Sequence, residues 1–124
     1  MPVMEPWPDR PVWLPKEPAN APLACRDIIP SMAWYAALFG RQPDANPMDG
    51  LAEWHHGDGA GFQLFQDTIE DGHGTMTLIV SGIEAERKRL HGLGLHPPEI
   101  EAGPPRLLHL RDPDGNRVVL AEPE

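Results

Sequence analysis

Seven residues near the C-terminus, Arg111-Asp112-Pro113-Asp114-Gly115-Asn116-Arg117, lie between the apolar runs 107–110 and 118–121. Proline pre-sets φ at the second position of a turn, aspartate side chains close the turn onto the backbone, and glycine accepts a positive φ. Between β-forming runs this composition predicts a hairpin with a short glycine-containing loop. A chain that closes on such a hairpin needs further strands to cover it. With 16 prolines and 12 glycines in 124 residues, many short elements joined by turns are expected rather than a helix bundle.

Those further elements come as a repeated order. Leu23, Ala24 and Cys25 form a short strand, and Pro30 opens a helix in which Met32, Tyr35, Ala36 and Phe39 share one face, with Trp34 and Leu38 beside it. Gly40 ends that helix. After Pro43 and Pro47, residues 51–56 and 62–66 read as strands separated by Gly57, Gly59 and Gly61. The order then recurs: a strand over 75–80, a helix from Ile83 to about His91 with a Glu84–Lys88 pair, and strands near 99–101, 107–111 and 117–122. Neither half buries its sheet face alone, so the two are expected to share one core.

Residues 1–20 stand apart. Prolines at 2, 6, 8, 11, 15 and 18 forbid helix and discourage a central strand. Trp7 and Trp13 lie among them, although disordered tails are poor in aromatics. The segment reads either as a loose leader or as an extended arm that docks its tryptophans on the body or on a partner subunit. The folded domain is expected over 21–124, as module one (21–70) and module two (71–124).

Charge and cysteine content exclude several classes. A net charge of −9 argues against nucleic acid, which requires a basic surface, and favours neutral or cationic ligands. The single Cys25 forms no internal disulfide, and its apolar strand argues against a nucleophile. No apolar run reaches the length of a membrane span, and a signal-peptide pattern is missing, so a cytoplasmic protein is expected.

The run Arg26-Asp27-Ile28, leading into Ala33-Trp34-Tyr35 and Leu38-Phe39-Gly40, resembles the first module of the vicinal oxygen chelate superfamily. That group includes glyoxalase I, extradiol dioxygenases, fosfomycin resistance proteins and bleomycin-binding proteins. Asp49-Gly50-Leu51-Ala52-Glu53-Trp54, Gln63-Leu64-Phe65 and Asp112-Pro113-Asp114-Gly115-Asn116 continue the resemblance over about residues 20–122. It implies an α+β fold of paired βαβββ modules, a curved mixed sheet around a cavity, and a homodimer. Module one looks short of one strand, with a remnant expected around 42–45.

The resemblance also implies three or four metal-binding His and Glu side chains, from the first and last strand of each module. The matching positions here are Asn20, Gln63, Thr75 and Val119. Valine has no donor, and amide and hydroxyl oxygens ligate weakly, so no metal and no other cofactor is expected. Glu122 lies an odd step from Val119 and should point to the opposite face. A site rebuilt from His73, His109 and His56 is the alternative.

Strand alternation places His109 and Arg111 opposite the faces of Leu108 and Leu110. It also places Gln63, Phe65, Thr75 and Thr77 on the pocket side. Trp54 is expected there too, with Glu53 and His55 on the other face. These residues suit a small-molecule pocket with an aromatic wall. One reading is a metal-free protein that sequesters an aromatic or cationic compound, as in drug resistance. A second is an enzyme with His109 as proton-transfer group and Arg111 stabilising an anion, for which a carboxylate to orient the imidazole is not evident. A metal-dependent lyase or dioxygenase requires a different strand register. The sequence does not decide whether the protein is an enzyme.

Overall fold

The computed structural model describes residues 20–55 and 61–123; the expected leader and His56 lie outside the described residues. Module one runs β1 (Asn20–Cys25), α1 (Ile28–Phe39), β2 (Ala45–Met48), β3 (Leu51–His55) and β4 (Gly61–Gln66). Module two runs β5 (Thr75–Ile79), α2 (Ile83–Gly92), β6 (Arg106–Arg111) and β7 (Arg117–Glu122). The order within the sheets is β1-β4-β3-β2 and β5-β7-β6, with β1 and β5 in contact where they meet. In each sheet the first strand runs parallel to the last, and that last strand pairs antiparallel with the strand before it in the chain. The result is the expected α+β fold.

Two expected strands move. The edge strand of module one is a four-residue element at Ala45–Met48, paired with β3 through a register shift, rather than a remnant at 42–45. The strand expected near 99–101 reduces to an isolated bridge, Glu101 with Leu107. Pro97, Pro98, Pro104 and Pro105 remove donors on both sides of it, which limits its ladder. Among the described residues module two therefore has one strand fewer than module one. α1 also starts two residues before Pro30, because Asp27 accepts a hydrogen bond from Ile29 N and caps the helix there. Gly40 ends α1 in the left-handed conformation, at φ 75°.

The helices cover one face of the sheets, and the core lies between. Tyr35, Phe39, Trp54 and Phe62 interlock in module one with ring centroids 4.7–6.4 Å apart. Aliphatic residues including Leu78, Ile83, Leu90, Leu108 and Leu120 fill module two. Just before β5, a Cβ on Gly74 would collide with the end of the Leu23 side chain of β1, so a larger residue there would have to displace that leucine.

The 112–116 turn that closes the β6–β7 hairpin is also the clasp between the modules. Gly115 takes φ 95°, and Asp112 Oδ1 accepts from the N–H groups of Asp114 and Asn116. Asp112 Oδ2 accepts from Tyr35 Oη at 2.7 Å and Asn116 Nδ2 at 2.7 Å. Asn116 Nδ2 also donates to the Ala24 carbonyl, and its Oδ1 accepts from Gly74 N. Asp114 accepts from Arg26 N and Ser31 Oγ, both at 2.9 Å. Asp112 and Asn116 are buried, so this satisfied network defines one relation between α1, β1 and the hairpin. Burial first, and then the Asp112 carboxylate, raise the Tyr35 hydroxyl well above its ordinary pKa, which keeps it a donor.

Candidate functional site

The face of the sheets turned away from the helices carries the site residues, and strand register lines them up in rows. In module one Gln63 sits between Pro22 and Glu53; in module two Val119 sits between Thr77 and His109. Glu53 and His109 thus hold equivalent places in the two modules. The next row is apolar, with Ala24, Phe65 and Leu51 in one module and Ile79, Ala121 and Leu107 in the other. On the other side of the polar row come Asn20, Gly61 and His55, matched by Thr75, Arg117 and Arg111. An apolar strip thus lies beside a row that carries polar groups, a composition common in small-molecule sites.

Trp54 is not on that face. It is 2 % exposed, packs against Tyr35, Phe39 and Phe62, and donates its indole N–H to the Arg41 carbonyl at 3.0 Å. The expected parity of β3 is therefore inverted: Ala52 and Trp54 fill the core, while Glu53 and His55 turn outward. The physical reason is size and polarity together, since the space under α1 takes the largest apolar ring and a carboxylate would be stranded there. Phe65 is the aromatic side chain that remains on the open face among the described residues.

Glu53 is the residue that sequence reasoning missed. Its Oε2 accepts from Gln63 Nε2 at 2.7 Å, and its Oε1 lies 3.1 Å from His55 Nε2. The hydrogen bonds from Gln63 and then His55 hold its carboxyl below the ordinary glutamate range, so it carries a negative charge at neutral pH. Alternation of polar Glu53 and His55 with Ala52 and Trp54 was the available signal. In module two, His109 Nε2 lies 2.9 Å from Glu101 Oε2. The Glu101–Leu107 backbone bridge fixes Glu101 beside the histidine. A carboxylate partner for His109 thus exists, contributed by a loop and invisible in the sequence.

The other site residues sort as follows. Gln63, Phe65, Thr77 and His109 are half-buried on the open face, Thr75 is exposed there, and Arg111 Nη1 donates to the Gly115 carbonyl. Cys25 lies in the core, where burial pushes its thiol up to about 11, and this suits packing rather than nucleophilic chemistry.

A metal does not fit the positions that correspond to ligands. Val119 offers no donor, Gln63 is engaged through its amide with Glu53, and Thr75 offers only a hydroxyl. Among the described residues no group of three His, Cys, Asp or Glu is placed to hold an ion. His73 lies on the loop before β5, outside the strand that the rebuilt site required. Glu122 points to the helix side, where its Oε2 accepts from Gly82 N at 2.6 Å and Ile83 N at 3.1 Å.

Two modules of similar strand and helix order meet where β1 contacts β5 and share an open sheet face. The glyoxalase-like domain model matches residues 20–121, and the chain belongs to that family. A glyoxalase/bleomycin resistance protein from Catenulispora acidiphila is 27% identical at a TM-score of 0.76, covering 83% of this chain and 95% of that one. A lactoylglutathione lyase from Agrobacterium tumefaciens is 19% identical at a TM-score of 0.71, covering 87% and 94%. A bleomycin-binding protein complexed with bleomycin is 20% identical at a TM-score of 0.67, covering 88% and 100%. No curated protein matches this chain in sequence. No helix among the described residues is long and apolar enough to cross a membrane.

Proposed function

We propose that the open sheet face binds a small organic cation with an apolar or aromatic body, without a metal, in the manner of a sequestering resistance protein. The observation that carries this reading is the Glu53 carboxylate, held at 2.7 Å by Gln63, whose own position is the one the resemblance implies for a metal ligand. A fixed, ionised carboxylate beside Phe65 and Leu51 matches a positive group on an apolar body. Gln63, Thr75, Thr77 and His109 supply further polar contacts, and Glu101 adds a second negative charge across the face. The chain's net charge of −9 draws such a ligand in. A relative with bleomycin bound, and the homodimer implied by the superfamily resemblance, accord with this reading.

Thermal unfolding with and without bleomycin, and with a panel of aromatic cations, tests it. A ligand at about a hundred times its Kd stabilises by about 2.7 kcal/mol. Glu53→Gln should remove that shift while leaving the unliganded melting temperature within a few degrees. Equal shifts in both proteins would sink the assignment.

A second reading rests on the His109–Glu101 contact at 2.9 Å. A carboxylate on Nε2 fixes one tautomer and leaves Nδ1 free to take a proton from a carbon or oxygen acid, with Arg111 near the anion that results. One of the relatives is a lactoylglutathione lyase, so chemistry on this fold has precedent. His109→Ala separates the two readings, because it abolishes turnover of an enzyme but only weakens a binder.

A further inference from the structure

α2 and the segment that follows it border a cleft of about 640 Å³, a volume within the range of small-molecule sites. On α2, Arg87, Lys88 and His91 stand three, four and seven residues after Glu84, so all four share one face. Ile100, Ala102 and Arg106 form the opposite wall. Arg106 pairs in register with Glu122, which points to the helix side, so the cleft lies apart from the open sheet face.

The lining reverses the charge of the chain as a whole. Three cations, Arg87, Lys88 and Arg106, stand against two carboxylates, Glu84 and Glu99, in a protein of net charge −9. Both guanidinium groups are half-buried and held from behind. Arg87 Nε donates to the Pro98 carbonyl at 2.7 Å, and Arg106 Nη1 donates to Glu122 Oε1 at 3.2 Å. Their Nη2 atoms meet Glu99 at 3.6 Å and Glu84 at 3.4 Å. Those glutamate side chains are 95 % and 76 % exposed. Ion pairs so long and so exposed contribute little, and an incoming anion displaces them at small cost. Lys88 is exposed and has no hydrogen bond or ion pair among the described residues. Ile100 packs against the core and gives the cleft an apolar wall.

We propose that this cleft binds a small organic oxyanion, a carboxylate or phosphate monoester on a short apolar body. The oxyanion takes the place of the two glutamates between Arg87 and Arg106, whose anchored guanidinium groups lose little freedom on binding it. Lys88 turns its ammonium onto the same group, and the apolar body lies on Ile100 and Ala102. The site shares no residue with the Glu53 face and stands independently of the reading proposed for that face.

The test is a titration of the isotope-labelled full-length protein with phenyl phosphate, benzoate and inorganic phosphate at constant ionic strength, followed by amide shifts in NMR. Saturable shifts in residues 84–91 and 99–106 with either organic anion support the proposal, and the tighter of the two names the head group. Shifts centred on the open sheet face, or no saturable shift, overturn it. Inorganic phosphate binding as tightly as the organic anions would overturn the assignment to an organic ligand. Lys88→Ala should weaken binding about tenfold at an unchanged melting temperature. Glu99→Gln removes a competing carboxylate and should tighten binding about twofold. Equal affinity in the parent and both variants would place the anion elsewhere and overturn the proposal.

Discussion

α1 and α2 occupy equivalent places beneath their sheets and are made of opposite material. α1 has no charged side chain, whereas α2 reads Ile83-Glu84-Ala85-Glu86-Arg87-Lys88-Arg89-Leu90-His91-Gly92. α2 spends its charges partly on the rest of the molecule. Arg89 donates to the carbonyls of Ala37 and Leu38 at 2.8 and 2.6 Å, giving the C-terminus of α1 the cation that its own last turn lacks. Glu86 holds that guanidinium from α2 at 2.7 Å. Glu84, expected to pair with Lys88, reaches Arg106 on β6 at 3.4 Å instead. α2 in turn has no side-chain cap of its own, and Glu122 from β7 supplies it. The comparison teaches that the two modules differ by division of labour: one helix is all packing surface and the other carries the connections.

The comparison breaks most severely at the clasp. Asp112→Ala strands the Tyr35 hydroxyl and two backbone N–H groups and removes one of the bonds of the Asn116 amide, and should cost about 3–5 kcal/mol in denaturant unfolding. Tyr35→Phe, which removes one donor, should cost about 1–2 kcal/mol. Equal costs for the two would mean that Asp112 acts only through Tyr35.

Next comes the loan of charge between helices. Arg89→Met keeps the aliphatic stem but frees the α1 carbonyls and leaves Glu86 buried without its partner, at a cost of about 2–3 kcal/mol. Pairing it with Glu86→Gln should recover part of that loss. If the double variant is no better than the single one, the effect lies in the α1 carbonyls alone.

A smaller effect has a pH signature. The N–H groups of Ile83 and then Gly82, with Arg106, hold the Glu122 carboxyl below its ordinary range. A depressed folded-state pKa contributes stability that is present above the unfolded value, about 4.3, and is lost as pH falls through the folded one. Glu122→Gln should therefore be about 1 kcal/mol less stable than the parent at pH 7, with the difference closing as the solution is acidified below pH 4. A difference that stays constant to low pH would show that shape, not charge, is what α2 needs. The smallest expected effect is at Lys88, exposed on α2, where Lys88→Ala should change stability by less than about 0.5 kcal/mol.

Much of the fold was legible because local chemistry decides it. The Asp112–Asn116 turn, the Gly40 stop and the strand at 117–122 each follow from backbone preferences of the residues themselves. Alternation along β3 was legible too, but alternation alone leaves open which set of residues faces the helix. Trp54 and Glu53 exchanged places for that reason. The edge strand Ala45–Met48 was displaced because a proline and an asparagine within it hide its pairing, which β3 provides.

The sequence by itself determined the repeated order of elements, the turn that closes the second module, and the absence of a donor at Val119. Only the tertiary structure decided that Glu53 joins Gln63, that Glu101 meets His109, and that Asp112 holds Tyr35. Those partners come from separate strands, from a loop and a strand, and from a turn and a helix. Propensity acts over a few neighbouring residues, whereas a hydrogen bond between distant segments exists only once packing has placed both ends.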